Sequence, residues 1–242
     1  MYSKIKEIVS NFDGVIGVII KYKTGEKILI NESKIFPSAS LIKLFIAFII
    51  EKDFYENKIK VKSEYKVGGC GILKNLISDI ELSIKDLITL MICFSDNTAT
   101  NILIDYMGMK NINLKIREAG FKNTILGRKM MDNLAKENGR DNFTTPEDVE
   151  KVLNYLYKNK DILENLKNQG YNNKINLYFA RDERVKFAHK TGELKNIEHD
   201  AGRLFYNNDW VDIIVMTKEL KNNSDGIKIN NLIGKEVFNN II

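Results

Sequence analysis

Residues Val185 to Thr217 read VKFAHKTGELKNIEHDAGRLFYNNDWVDIIVMT. Apolar and β-branched residues recur there with a period of two, which predicts strands at Val185–His189, Ala201–Tyr206 and Trp210–Thr217. Asn207-Asn208-Asp209 offers residues that tolerate positive φ, so it predicts a tight turn between the last two. A matching pattern stands near the other end of the chain. Val15–Tyr22 is an apolar run, Lys23-Thr24-Gly25 is a turn, and Lys27–Ile30 resumes the strand. Between them the period changes. Apolar positions recur at three and four residues in Leu82–Phe94, Thr98–Met107, Ile112–Ala119 and Pro146–Lys158, which predicts helices. A buried helix is expected over about 40–52, and Ile227–Ile241 reads as a closing helix. Strands at both ends around a helical insert give an α/β (α+β) fold. One antiparallel sheet is built from both chain ends, helices pack on it, and a separate all-helical lobe completes it. The expected division is a single domain, 1–242, with an α/β lobe of about 1–60 and 170–242 and a helical lobe of about 61–169. A ligand cleft is expected between the lobes.

The chain has 242 residues, 44% hydrophobic and 29% charged, ordinary values for a globular protein. A net charge of +5 favours solubility and does not argue for nucleic acid. Two cysteines exclude a disulfide framework, and no Cys/His cluster suggests a metal; no cofactor is expected. Met1–Ser10 has no apolar core of a signal peptide, and Leu41–Ile50 is too short to span a bilayer. A soluble chain with no membrane span and no nucleic-acid partner is expected, and a monomer.

Three short motifs occur in order: Ser40-Leu41-Ile42-Lys43, Ser95-Asp96-Asn97 and Lys190-Thr191-Gly192. Each is weak alone. Ser3…Lys6 and Ser63…Lys66 repeat the first spacing, and Lys23-Thr24-Gly25 repeats the third. Ser40, however, opens an apolar helix, and residues three apart on a helix share a face, so Lys43 stands beside it. The helix N-terminus favours negative charge developing there. Desolvation among Ile42, Leu44, Phe45 and Ile46 should lower the Lys43 pKa and free an amine to take the serine proton. The plainer alternative makes Ser40 an N-cap and lets Lys43 reach water. Ser95-Asp96-Asn97 joins two helical patterns, and all three residues are good caps. Ser95 and Asn97 alternate past Asp96, so both can face one cleft while Asp96 turns inward. Lys190 and Thr191 at the end of a strand can take a carboxylate, and Gly192 permits close backbone approach.

The runs Phe36–Leu44, Leu90–Ile104 and Ala188–Glu193, with Thr144-Thr145-Pro146, resemble the class A β-lactamase family. The resemblance runs from about Gly14 to the C-terminus. It implies the β-lactamase/transpeptidase-like fold and a serine hydrolase that forms an acyl-enzyme. Ser40 would be the nucleophile, Lys43 its proton partner, and Ser95 the relay to the leaving nitrogen. Asn97 would bind the acyl side chain, and Lys190, Thr191 and Gly192 the carboxylate end of the substrate. The backbone N–H groups of Ser40 and Glu193 would form the oxyanion hole. The substrate would be a small molecule, a β-lactam or a D-Ala-D-Ala-like compound. The same resemblance implies export, a secreted or periplasmic location, although the chain shows no signal peptide.

One family feature is missing. The pattern Glu-x-x-Leu-Asn, which supplies the deacylating base, should fall near Lys129–Met131, where methionines stand. Asp132, Glu137 and Asp141 are the acids nearby, with Asp132 and Glu137 the candidate bases and solvated loop acids as the alternative. Arg128 is expected to pair with one of these acids and hold the loop. Without a base the acyl-enzyme persists. The alternatives to a β-lactamase are therefore a penicillin-binding D-alanyl-D-alanine peptidase-like hydrolase with slow deacylation, or a non-catalytic sensor. His189 and His199 are expected to be structural. Cys93 is expected in the core, Cys70 on a loop bordering the cleft with a Cys70–Cys93 disulfide open, and Tyr65 is a candidate aromatic wall. Arg203 is not assigned to the site.

Overall fold

The computed structural model describes residues 1–241; Ile242, the end of the expected α/β lobe, lies outside the described residues. The chain runs α1 (Tyr2–Ser10), β1 (Val15–Tyr22), β2 (Lys27–Ile30), β3 (Phe36–Pro37), α2 (Ile42–Ile49), β4 (Lys58–Val61) and β5 (Ile80–Ser83). Then follow α3 (Ile84–Cys93), α4 (Asn97–Met107), α5 (Met109–Glu118), α6 (Asn133–Glu137), β6 (Phe143–Thr144), α7 (Pro146–Leu156) and α8 (Lys160–Lys167). The chain closes with β7 (Val185–Leu194), β8 (Ile197–Tyr206), β9 (Asp209–Lys218) and α9 (Asn223–Asn239).

The main sheet has five antiparallel strands in the order β2-β1-β9-β8-β7, so the first and last strands of the chain lie side by side. Both faces of β1 and β9 are covered, which explains their continuous apolar reading. Ile16, Val18 and Ile20 with Val211, Ile213 and Val215 pack against Ile5 of α1 and Ile229, Ile233 and Val237 of α9. The alternate residues Ile19, Ile214 and Met216 face the other core, shared with α2, α3, α4, α5 and α7. Gly17 lets α7 cross β1 closely, since a Cβ there would stand 2.7 Å from Pro146 Cγ. The α7 start carries two local signals. Thr145 Oγ1 accepts from Asp148 N at 3.1 Å, and Pro146 follows at the first helical position.

The structure adjusts several boundaries. Lys190-Thr191-Gly192 does not end its strand but lies inside β7, which pairs with β8 over ten residues, from Val185↔Tyr206 to Leu194↔Ile197. The closing helix begins at Asn223 rather than Ile227. Leu82 is in a strand, not a helix, because Ile80–Ser83 pairs with Lys58–Val61. Ser83 ends that strand and starts α3 through a capping box with Asp86. The Asn207-Asn208 turn forms as expected, with φ of 43° and 64°.

Candidate active site

Ser40 lies in a 3-10 turn, Ala39–Leu41, that feeds directly into α2. Two contacts fix the segment leading to it. Ser38 N donates to Asn142 O at 2.8 Å, and Pro37 O accepts from His199 Nε2 at 2.8 Å. Thr217 N donates to His199 Nδ1 at 3.1 Å, so His199 is the neutral tautomer with its proton on Nε2. Burial holds its pKa down at about 4. His199 is therefore neutral when folded, while the unfolded side chain takes a proton near its ordinary 6.5. Between these values the unfolded state binds more protons, so stability falls as pH falls from about 6.5 to about 4. Urea unfolding is expected to show a loss of about 2–3 kcal/mol over this window, and a His199→Gln variant to lack it.

Lys43 is fully buried. Its Nζ donates to Ser95 O at 2.7 Å, Ser95 Oγ at 3.0 Å and Asn97 Oδ1 at 2.8 Å. No carboxylate lies within ion-pair distance of it among the described residues. Desolvation lowers its pKa from 10.5 to about 7, against the opposing pull of Cys70 and Asp96. Lys190 is also fully buried, with its Nζ on Thr191 O at 2.9 Å. Burial first, then Lys43 and Lys174, hold its pKa well below the ordinary lysine value. A substrate carboxylate would favour its charged form.

The Ser95-Asp96-Asn97 turn serves two purposes. Asp96 caps α4 through Ala99 N at 2.9 Å. It also accepts from Ile72 N at 2.7 Å and Leu73 N at 2.9 Å, and so anchors the preceding loop. Ser95, at φ 52°, and Asn97 are left to face Lys43. Asn97 Nδ2 reaches Gly68 O at 3.0 Å, which brings the Gly68-Gly69-Cys70-Gly71 loop over the site. Positive φ recurs at Ala39 (46°) and Met131 (63°), so three strained non-glycine residues lie around one cleft.

The cleft is a cavity of about 250 Å³ whose lining includes Ser40, Cys70, Asn97, Met130, Met131 and Glu193. An adjoining space of about 60 Å³ is lined by Ser40, Ser95, Lys174, Thr191 and Glu193 among others. A larger cleft of about 490 Å³ beside Arg117 and Phe143 holds no Ser–Lys pair. Gly192 meets Ala39 closely; a Cβ there would lie 3.2 Å from Ala39 Cβ. β7 is an edge strand, and Thr191 O points to the open edge, where Lys190 Nζ finds it. Glu193, two residues on, shares that direction, so its N–H is free to donate into the cleft.

The other expected residues are placed as follows. Arg128 Nε pairs with Asp141 Oδ1 at 2.7 Å and closes the 128–141 loop. Asp132 caps α6 by accepting from Ala135 N at 2.9 Å, and Glu137 is exposed at the end of α6. Neither Asp132 nor Glu137 lines the cavity, and neither does Tyr65. His189 is buried against Asp200, with Nδ1 to Oδ1 at 2.8 Å. Arg203 pairs with Asp212 at 2.7 Å and lies over the Trp210 ring at 3.6 Å. Three side chains of the site were not read from the sequence. Lys174 reaches Gly192 O at 3.1 Å and Glu198 Oε2 at 2.5 Å. Asn101 grips Met130 from both sides, at 2.8 and 3.0 Å. Asn142 Oδ1 accepts from Gly127 N and Arg128 N at 2.8 and 3.0 Å. All three act on backbone, so no spacing pattern announces them.

The disulfide left open by the sequence does not form: Cys70 and Cys93 are both free, the first exposed and the second buried. Burial raises the Cys93 thiol to about 11. Alkylation of the native protein with iodoacetamide at pH 8 is expected to label Cys70 alone, and both thiols after unfolding. Rapid native labelling of Cys93 would contradict its placement.

A buried lysine bonded to Ser95, beside a space lined by both Ser40 and Ser95, with a second buried lysine on the edge strand, is an arrangement suited to acyl transfer by a serine. The β-lactamase enzyme family model matches residues 1–241, and the chain belongs to that family, whose members hydrolyse the β-lactam amide. Solved structures share the fold. The β-lactamase of Sphaerobacter thermophilus DSM 20745 is 24% identical, with a TM-score of 0.88 and coverage of 99% of this chain and 97% of that one. A class A β-lactamase representative from Bacteroides cellulosilyticus DSM 14838 is 22% identical, with a TM-score of 0.84 and coverage of 98% and 97%. PBP-A is 21% identical, with a TM-score of 0.84 and coverage of 99% and 94%. No curated protein matches the chain.

Proposed function

We propose that Ser40 is acylated by a β-lactam and that water then releases the opened product. The observation that carries this reading is the buried Lys43, which has no counter-ion among the described residues and faces Ser95 and Asn97 beside the cavity that holds Ser40. Neutral Lys43 takes the Ser40 proton as Oγ attacks the lactam carbonyl carbon. The carbonyl oxygen, now negative, is held by the Ser40 and Glu193 N–H groups. Ser95 passes a proton to the leaving nitrogen, and the lactam C–N bond breaks. Asn97 holds the acyl side chain, and Lys190, Thr191 and Gly192 the carboxylate end. The reading treats the chain as one domain of two lobes, about 1–60 with 170–242 and about 61–169.

A second reading has one specific observation behind it. Met130 and Met131, at the sequence position where the family resemblance would put the deacylating Glu, line the cavity. This favours a penicillin-binding hydrolase that acylates and releases slowly. Hydrolysis of a chromogenic cephalosporin separates the two. Colour amounting to many equivalents per enzyme supports the β-lactamase, and a burst of one equivalent followed by near silence supports the slow hydrolase.

A further inference from the structure

We propose that the side chain of Glu193 is the general base of deacylation. The proposal rests on the reading of Ser40 as the acylated residue. A base for this step must reach a water beside the ester carbonyl. Among the residues lining the two spaces at Ser40, the carboxylates are Asp141 and Glu193. Asp141 is already committed, since it accepts Arg128 Nε at 2.7 Å and Asn142 N at 2.9 Å. Asp132 is committed as the α6 cap, outside the lining. Glu193 borders both spaces together with Ser40, and its exposed carboxylate has no hydrogen-bond or ion-pair partner among the described residues.

Strand geometry sets the face on which the side chain stands. Side chains two apart on a strand share a face, so Glu193 stands on the face of Thr191, which also lines the smaller space with Ser40. The backbone behind it is fixed on two sides. Glu193 pairs with Glu198 on β8, and the neighbouring Gly192 carbonyl takes Lys174 Nζ. Met130 and Met131, which also line the larger space, offer no proton acceptor of comparable basicity.

The step balances without any further reagent than water. The Glu193 carboxylate takes one proton from water as the water oxygen bonds to the ester carbonyl carbon. The tetrahedral species collapses, and the bond from that carbon to Ser40 Oγ breaks. Ser40 Oγ takes a proton from Lys43, and the proton held by Glu193 makes good that loss through solvent. The product leaves as the opened acid, with Ser40, Lys43 and Glu193 back in their starting states.

The test is the lifetime of the benzylpenicillin adduct in the full-length chain, followed by intact mass after excess drug is removed. Glu193→Gln keeps the backbone N–H and the side-chain size but is no base. It is expected to form the adduct and to lengthen its lifetime at least tenfold. Glu193→Asp is expected to recover part of the wild-type rate, which a purely structural role of the side chain would not require. An adduct lifetime in Glu193→Gln equal to wild type overturns the proposal. So does a Glu193→Asp lifetime no shorter than that of Glu193→Gln. Absence of any adduct in the wild-type protein overturns the Ser40 reading instead, so the two failures are distinguishable.

Discussion

Ser40→Ala is expected to abolish covalent capture of benzylpenicillin, with the acylation rate falling on the order of 10⁴–10⁶-fold. The side chain removed is the one hydroxyl shared by both spaces of the site. No other serine can replace it. Ser95 Oγ is held by Lys43 Nζ at 3.0 Å, and Ser38 is buried with its hydroxyl turned to Ala39 O. The fold should be unaffected, since Ser40 provides no side-chain cap to α2 and its hydroxyl makes no hydrogen bond among the described residues. Circular dichroism unchanged from wild type, with no adduct in the mass spectrum, is the expected pair of results. An adduct of one drug mass on the variant would show that the acyl group goes elsewhere.

Lys43→Met is expected to be nearly as severe, lowering acylation on the order of 10²–10⁴-fold, the usual worth of a positioned general base. Methionine fills the same buried channel without an amine. The wild-type pH profile gives independent support. Burial lowers the Lys43 pKa to about 7, so the neutral amine is the minority form below pH 7 and the majority form above it. Acylation should therefore rise about tenfold per pH unit from 5 to 6.5 and level off above about 7.5. A rate that falls as pH rises through 7 would mean that the ammonium form is required. The role of Lys43 would then be electrostatic.

Most of the sheet was legible because its central strands obey one rule. β1 and β9 are covered on both faces, so their apolar runs are unbroken and hard to mistake. The last turn of β7 and the start of β8 were not legible for the opposite reason. Residues 190–200 are mostly polar, yet they form a paired ladder. Their charges are used inside the fold, Glu198 by Lys174 and Asp200 by His189. A hydrophobic period cannot register a strand whose partners are ions. The β4–β5 pair escaped because Leu82 happens to continue the helical spacing of α3, and only the Ser83 cap marks the change.

The site divides in the same way. Ser40, Lys43, Ser95, Asn97 and Lys190 announce themselves as short spacings along the chain. The long-range partners do not. Asn142 reaches Ser38 and Arg128, His199 reaches Pro37, and Asn101 reaches Met130, each through backbone groups far away in the chain. Ser-Asp-Asn shows why the choice between cap and site was a false one. Asp96 caps α4, and its two neighbours are thereby aimed at Lys43. The family comparison accounts for the fold and the reaction class. It leaves the deacylating base open, since neither Asp132 nor Glu137 is among the residues lining the spaces at Ser40.

The most direct test of the central claim is the intact mass of the wild-type protein mixed with excess benzylpenicillin, followed from seconds to hours, with the modified peptide sequenced. The expected result is a single adduct of one drug mass on the peptide containing Ser40, which disappears as opened penicillin accumulates well beyond the enzyme concentration. No adduct at any time point, with the drug left intact, or an adduct on a peptide lacking Ser40, would contradict it.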